Sequence, residues 1–170
     1  MFKSSDVPAP ANYFLKPGYI YLPVRPTVVS TVLGSCVAVV LWDGKRGAGG
    51  INHFQFPTCD EPERPTAKYG DASTAMLIRM MIKDGSKTKH LEAQIFGGAC
   101  NRKVSSWDVG RDNVRTARRV LAKHGIRVIS EDVGGERGRK VIFDAVNNEM
   151  AVLRVEQLRK GDWHPYEDDR

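Results

Sequence analysis

The sequence predicts an α+β domain in which about two main helices pack on mostly antiparallel sheet. Two observations predict it. Short loops join strand-like runs into hairpins in both halves of the chain, at 36–54 and 139–157. Two segments, 72–85 and 110–125, carry apolar residues at helical spacing. The hairpins argue against a doubly wound parallel sheet, whose strands are joined by crossovers.

In chain order, residues 1–12 hold two prolines and little periodicity, and read as a mobile leader. "GYIYLPV" (18–24) reads as a first strand, ended by Pro23 and Pro26. "CVAVVLWD" (36–43) is a continuous apolar run of the kind a buried strand shows. "GKRG" (44–47) is a turn, and "AGGINHF" (48–54) returns as the antiparallel partner. "PTCDEPERP" (57–65) carries three prolines and several acids, which marks a long surface loop.

Asp71 is placed to cap a helix through "ASTAMLIRMMIKDG", with Ala75, Ile78, Met81 and Ile82 on its apolar face and Gly85 ending it. "LEAQIF" (91–96) is a strand followed by a tight "GGAC" turn. The second helix has the stripe Val114, Ala117, Val120 and Leu121 and stops at Gly125. "IRVISED" (126–132) is a strand, and "VGGERG" (133–138) a glycine-rich loop. "RKVIFDAV" and "EMAVLRVEQ" form a closing hairpin turned at Asn147-Asn148. Residues 158–170 read as a polar tail, which leaves one domain spanning 13–157.

Composition narrows the class. A chain of 170 residues with 41% hydrophobic and 27% charged content suits a single globular core. No apolar run is long enough to span a bilayer, and the N-terminus lacks the apolar core of a signal peptide, so the expected location is the cytoplasm. The net charge of +6 invites an acidic partner. The basic residues are dispersed, however, and the densest run (115–127) mixes arginine with helix-core residues. It reads as a solvated helix face, and no nucleic acid is expected as a partner.

The three cysteines, Cys36, Cys59 and Cys100, form no CxxC pair, so reduced thiols are expected. Together with His53 they match no common zinc-site spacing. Chemistry points instead to Cys36 and His53. A thiol needs help to become a nucleophile, and the strand-forming residues after Cys36 offer no helix N-terminus, so an imidazole must supply it. Counting outward from the 44–47 turn, Asp43 faces Ala48 and Val37 faces Phe54. Cys36 and His53 then lie within one or two residues of direct opposition, with a bulge at Gly49-Gly50 available to adjust the register. Gly34 and Ser35 supply a turn whose backbone N–H groups can meet an oxyanion. The hydroxyl of Ser30 or Thr31 is available to orient His53, completing a nucleophile, base and orienter.

"TVLGSCVAVVLWD" followed by "GGINHFQFP" resembles the bacterial chemoreceptor glutamine deamidases, the CheD family of chemotaxis proteins. "KYGDAST", "IFGGA", "VGRDNV" and "EDVGGERGRKVIF" resemble further segments of that family in the same order. The resemblance implies an α/β sandwich like the catalytic domains of certain deamidating toxins. It implies hydrolysis of selected receptor glutamines to glutamate and ammonia, with receptor methylesterase activity in some members. It places the nucleophile on Cys36 and the histidine on His53. The family's threonine falls on Ser30, a departure that keeps the hydroxyl and leaves Thr31 as the competing orienter. No metal or organic cofactor is implied. The implied partners are the cytoplasmic domain of chemoreceptors and a CheC-type phosphatase, without direct membrane insertion. The alternative is a non-catalytic chemotaxis adaptor that binds one of these partners.

Overall fold

The computed structural model describes residues 9–61 and 63–156. The expected tail at 158–170 and most of the expected leader lie outside those residues. Among the described residues nine strands and two α-helices run in the order β1 (Ala11–Phe14), β2 (Tyr19–Tyr21), β3 (Thr27–Leu33), β4 (Val37–Asp43), β5 (Ala48–His53), α1 (Gly70–Lys83), β6 (Leu91–Gly97), α2 (Val109–Lys123), β7 (Arg127–Val133), β8 (Gly138–Asp144) and β9 (Glu149–Val155). They build one sheet of order β2-β5-β4-β6-β7 and a second of order β1-β3-β8-β9. The class is α+β, and most pairings are antiparallel; β1 with β3 and β6 with β7 are parallel. No described helix is long and apolar enough to cross a membrane.

Strand parity sorts β4 into two cores. Val37, Val39 and Leu41 meet Leu77, Ile78 and Met81 of α1 and Val114, Ala117 and Leu121 of α2. The alternate residues, Cys36, Ala38 and Val40, meet Val29, Leu33, Val141 and Phe143 of the second sheet. The central strand is thus covered by helices on one face and by sheet on the other, which explains its unbroken apolar run. Each fully buried aliphatic or aromatic side chain of this kind contributes about 1.5–3 kcal/mol.

The helices follow their sequence signals with two differences. The Asp108 carboxylate caps α2 by accepting from Arg111 N at 2.9 Å. For α1 the N-cap position is Tyr69, so Asp71 is not the cap. Its carboxylate lies in the first turn, accepts from Ala72 N, and anchors the proline-rich loop through Cys59 N at 3.2 Å. Ile82, expected on the apolar face, is 43% exposed; Ile78 and Met81 carry that face. Two strands were not expected. β1 takes in residues 11 and 12 of the expected leader, and β3 lies entirely in a stretch to which the sequence reading assigns no element.

The end of β6 approaches the turn at Gly34–Cys36 so closely that only glycine fits. Gly97 has φ +105°, and a Cβ there would stand 2.2 Å from the Cys36 carbonyl oxygen. Left-handed backbone plus overpacking predicts that Gly97→Ala loses about 2–5 kcal/mol of unfolding free energy, measurable by urea denaturation. A loss within about 0.5 kcal/mol would mean that the turn yields freely.

Candidate active site

The β4–β5 hairpin keeps the register counted from its turn, with Asp43 opposite Ala48, Val40 opposite Ile51 and Val37 opposite Phe54. No bulge interrupts it. The unbroken register puts Cys36 across from Gln55, so His53 is its diagonal neighbour, two residues along the partner strand. Because side chains alternate, Cys36 and His53 share one face, the one turned toward the second sheet. Diagonal neighbours have Cα atoms about 7–8 Å apart, within reach of an imidazole.

His53 is fully buried. Thr31 Oγ1 lies 2.7 Å from its Nδ1 and also donates to the Leu15 carbonyl at 2.8 Å. Since the hydroxyl proton goes to Leu15, Nδ1 must donate to the threonine oxygen. The ring is therefore the Nδ1–H tautomer, which leaves a lone pair on Nε2. Among the described residues, Nε2 has no hydrogen-bond partner. An orphaned buried acceptor costs stability, and its persistence suggests a functional reason.

Of the two hydroxyls expected near the ring, only Thr31 reaches it. Ser30 sits one position earlier on β3, where parity turns its side chain to the sheet's other face. Thr31 shares its face with Val29 and Leu33, which pack in the core between the sheets.

Burial sets the charge state of the pair. It pushes the Cys36 thiol up to about 11, with the residue's own backbone N–H pulling the other way. It pushes His53 down to about 4, opposed by the Leu15 carbonyl. At neutral pH the free protein therefore holds a neutral thiol on the same face as a neutral imidazole, with no hydrogen bond between them.

The turn before the thiol has its carbonyls clamped and its amides free. Ala99 N donates to Gly34 O at 2.9 Å, and Gly98 N donates to Cys36 O at 2.8 Å. Asn113 Nδ2 donates to Ser35 O at 2.9 Å. No carbonyl among the described residues accepts from the Ser35 or Cys36 amide. The left-handed glycines near the turn are Gly97 and Gly98, at and just after the end of β6. A groove of about 380 Å³, lined by Gly34, Ser35, Ala99, Cys100, Trp107 and Gly110, opens against the turn. Cys36 as a residue is 9% exposed, and it is not among the residues that line the groove.

Cys59 and Cys100 are free, half-buried thiols; Cys100 lines the groove beside the turn, whereas Cys59 lies in the proline-rich loop. Asn113 is the residue that the chemical reading of the sequence overlooked. Its signal was a polar side chain on the stripe of Ala117 and Val120, four and seven residues on, where an apolar residue is expected.

Comparison with known proteins gives one consistent result. A family model described as CheD chemotactic sensory transduction matches residues 57–154. "Probable chemoreceptor glutamine deamidase CheD" of Trichlorobacter lovleyi is 37% identical over 148 residues, covering 86% of this chain and 92% of that one. "Probable chemoreceptor glutamine deamidase CheD 2" of Geobacter sulfurreducens is 37% identical and covers 85% and 90%. The protein of the first name from Sulfurimonas denitrificans is 31% identical and covers 85% and 94%. The family model begins after His53, whereas pairwise matches of this length necessarily run across residues 31–53.

Proposed function

Because the chain belongs to the CheD chemotactic sensory transduction family, we propose that it is a protein-glutamine deamidase acting in the cytoplasm on chemoreceptor glutamines, with Cys36 as nucleophile. The observation that carries the reading is the placement of Cys36 and His53 on one face of adjacent strands, with Nδ1 held by Thr31 and Nε2 unpartnered.

The chemistry follows from those positions. Cys36 Sγ attacks the glutamine carboxamide carbon while its proton passes to His53 Nε2. Since the free pair is neutral, the proton leaves as the C–S bond forms and no standing thiolate is needed. The carbonyl oxygen becomes an oxyanion, for which the free amides of Ser35 and Cys36 are the available donors. The C–N bond then breaks, His53 returns the proton to nitrogen, and ammonia leaves a thioester. Water gives a proton to Nε2 and attacks the thioester carbon. The C–S bond breaks, sulfur recovers the proton, and glutamate is released. A receptor methyl ester would follow the same course with methanol leaving. A CheC-type phosphatase is the further partner that the family implies.

Incubation with the cytoplasmic fragment of a chemoreceptor is expected to release ammonia and to convert specific glutamines to glutamate, read by peptide mass spectrometry. Unchanged receptor peptides and no ammonia would leave a binding role in place of turnover.

The orienting hydroxyl gives a finer prediction. Thr31→Ala removes the acceptor of Nδ1–H and is expected to lower kcat by about 10–100-fold. Ser30→Ala, on the other face of β3, should keep kcat within about twofold of wild type. The reverse pattern in a steady-state ammonia assay would assign the orienting role to Ser30.

A further inference from the structure

We propose that Asn113 is a positioning residue that aims the oxyanion-binding amide of Cys36; the inference rests on the deamidase reading above. Asn113 lies in the first half of α2 and is fully buried. Its Nδ2 donates both to Ser35 O at 2.9 Å and to Gln55 O at 3.0 Å. These two carbonyls stand at the open end of the β4–β5 hairpin, just beyond its last paired residues, Val37 and Phe54. One carboxamide therefore ties the segment that carries the thiol to the segment that follows the histidine.

The consequence for chemistry comes from the planar peptide. Ser35 O and Cys36 N belong to one trans unit, in which the C=O and N–H bonds point to opposite sides. Drawing the carbonyl toward α2 turns the Cys36 N–H away from it. That N–H meets no carbonyl among the described residues, and it is near enough to its own sulfur to favour the thiolate. It is therefore placed beside the atom that attacks, where the oxyanion forms. A hydrogen bond accepted by the carbonyl also polarises the peptide unit and makes its N–H a better donor.

The test separates oxyanion support from general integrity by using two reactions of the same thiol. Amide hydrolysis passes through an oxyanion, whereas alkylation by iodoacetamide is a displacement at a methylene carbon and does not. Asn113→Ala removes the donor. Asn113→Asp keeps the shape, and its ionised form turns the donor into an acceptor that repels both carbonyls. For both variants kcat for ammonia release from the receptor fragment is expected to fall by about 10–100-fold, with KM within about threefold. Burial outweighs the help that this N–H gives the thiolate, so the alkylation rate of Cys36 should fall by no more than about threefold. A parallel fall in alkylation, or unfolding of both variants, would make Asn113 a structural residue and overturn the assignment. Turnover above half the wild-type rate in a folded variant would overturn it while leaving the deamidase reading intact. Failure of the wild-type protein to release ammonia would instead remove that reading, and this inference with it.

Discussion

Replacing Cys36 by alanine is expected to reduce ammonia release from a receptor fragment to the uncatalysed background, with the unfolding midpoint nearly unchanged. The chemical loss is complete because the other thiol near the turn, Cys100 in the groove wall, does not share the strand face of His53 that Cys36 shares. Cys59 and Cys100 are separate free thiols, and the Ser35 hydroxyl lacks the intrinsic nucleophilicity of sulfur. The structural loss is small because Cys36 is a small buried side chain among Leu33, Ala38 and Phe96. Removing its sulfur vacates little volume, at a cost of about 1 kcal/mol. The two readouts together are informative. Lost turnover with a preserved thermal transition assigns the sulfur a chemical role, whereas persistent turnover above background would remove it from the mechanism.

His53→Ala is expected to lower kcat/KM by about 10³-fold or more, since the variant loses both the base that takes the thiol proton and the acid that returns it to ammonia. Alanine also leaves a cavity, so His53→Asn is the companion variant. Its amide can still donate to Thr31 but carries no basic nitrogen, and it should be as inactive as the alanine variant. The pH profile of the wild-type protein tests the same residue without mutation. The kcat/KM profile reports groups of the free protein. With the imidazole held down to about 4 and the thiol held up to about 11, activity should be level across the neutral range. It should fall only as acid protonates Nε2 near about pH 4. An acid limb near the ordinary histidine value, about 6.5, would contradict a buried neutral ring.

The parts of this site that depend on local chain geometry were legible in the sequence. A turn at 44–47 fixes which residues of β4 and β5 face each other, and counting from it gave the observed register from Asp43–Ala48 to Val37–Phe54. Parity then places Cys36 and His53 on one face without the bulge that the sequence reading kept available. Both helices were legible because their apolar stripes recur at helical spacing and glycine stops each one. What depends on packing between distant segments was not legible. β3 is covered on both faces over its second half, where Thr31, Val32 and Leu33 are all buried, so it shows no clean alternation. Without that strand, the choice between Ser30 and Thr31 had no physical basis; one residue of parity decides which hydroxyl enters the core. Asn113 was hidden for a similar reason. Its partners, Ser35 and Gln55, are 78 and 58 residues away in the chain, and no short-range pattern predicts them.

The central claim is that Cys36 carries the acyl group between amide cleavage and hydrolysis. Intact-protein mass spectrometry of the wild-type enzyme, acid-quenched during turnover of a glutamine-containing receptor peptide, tests it most directly. The expected result is a population heavier by the mass of the peptide less ammonia, attached at Cys36, labile to hydroxylamine and absent from Cys36→Ala. Sustained formation of the glutamate product with no such adduct at any quench time, and with Cys36 fully alkylated beforehand, would contradict the account.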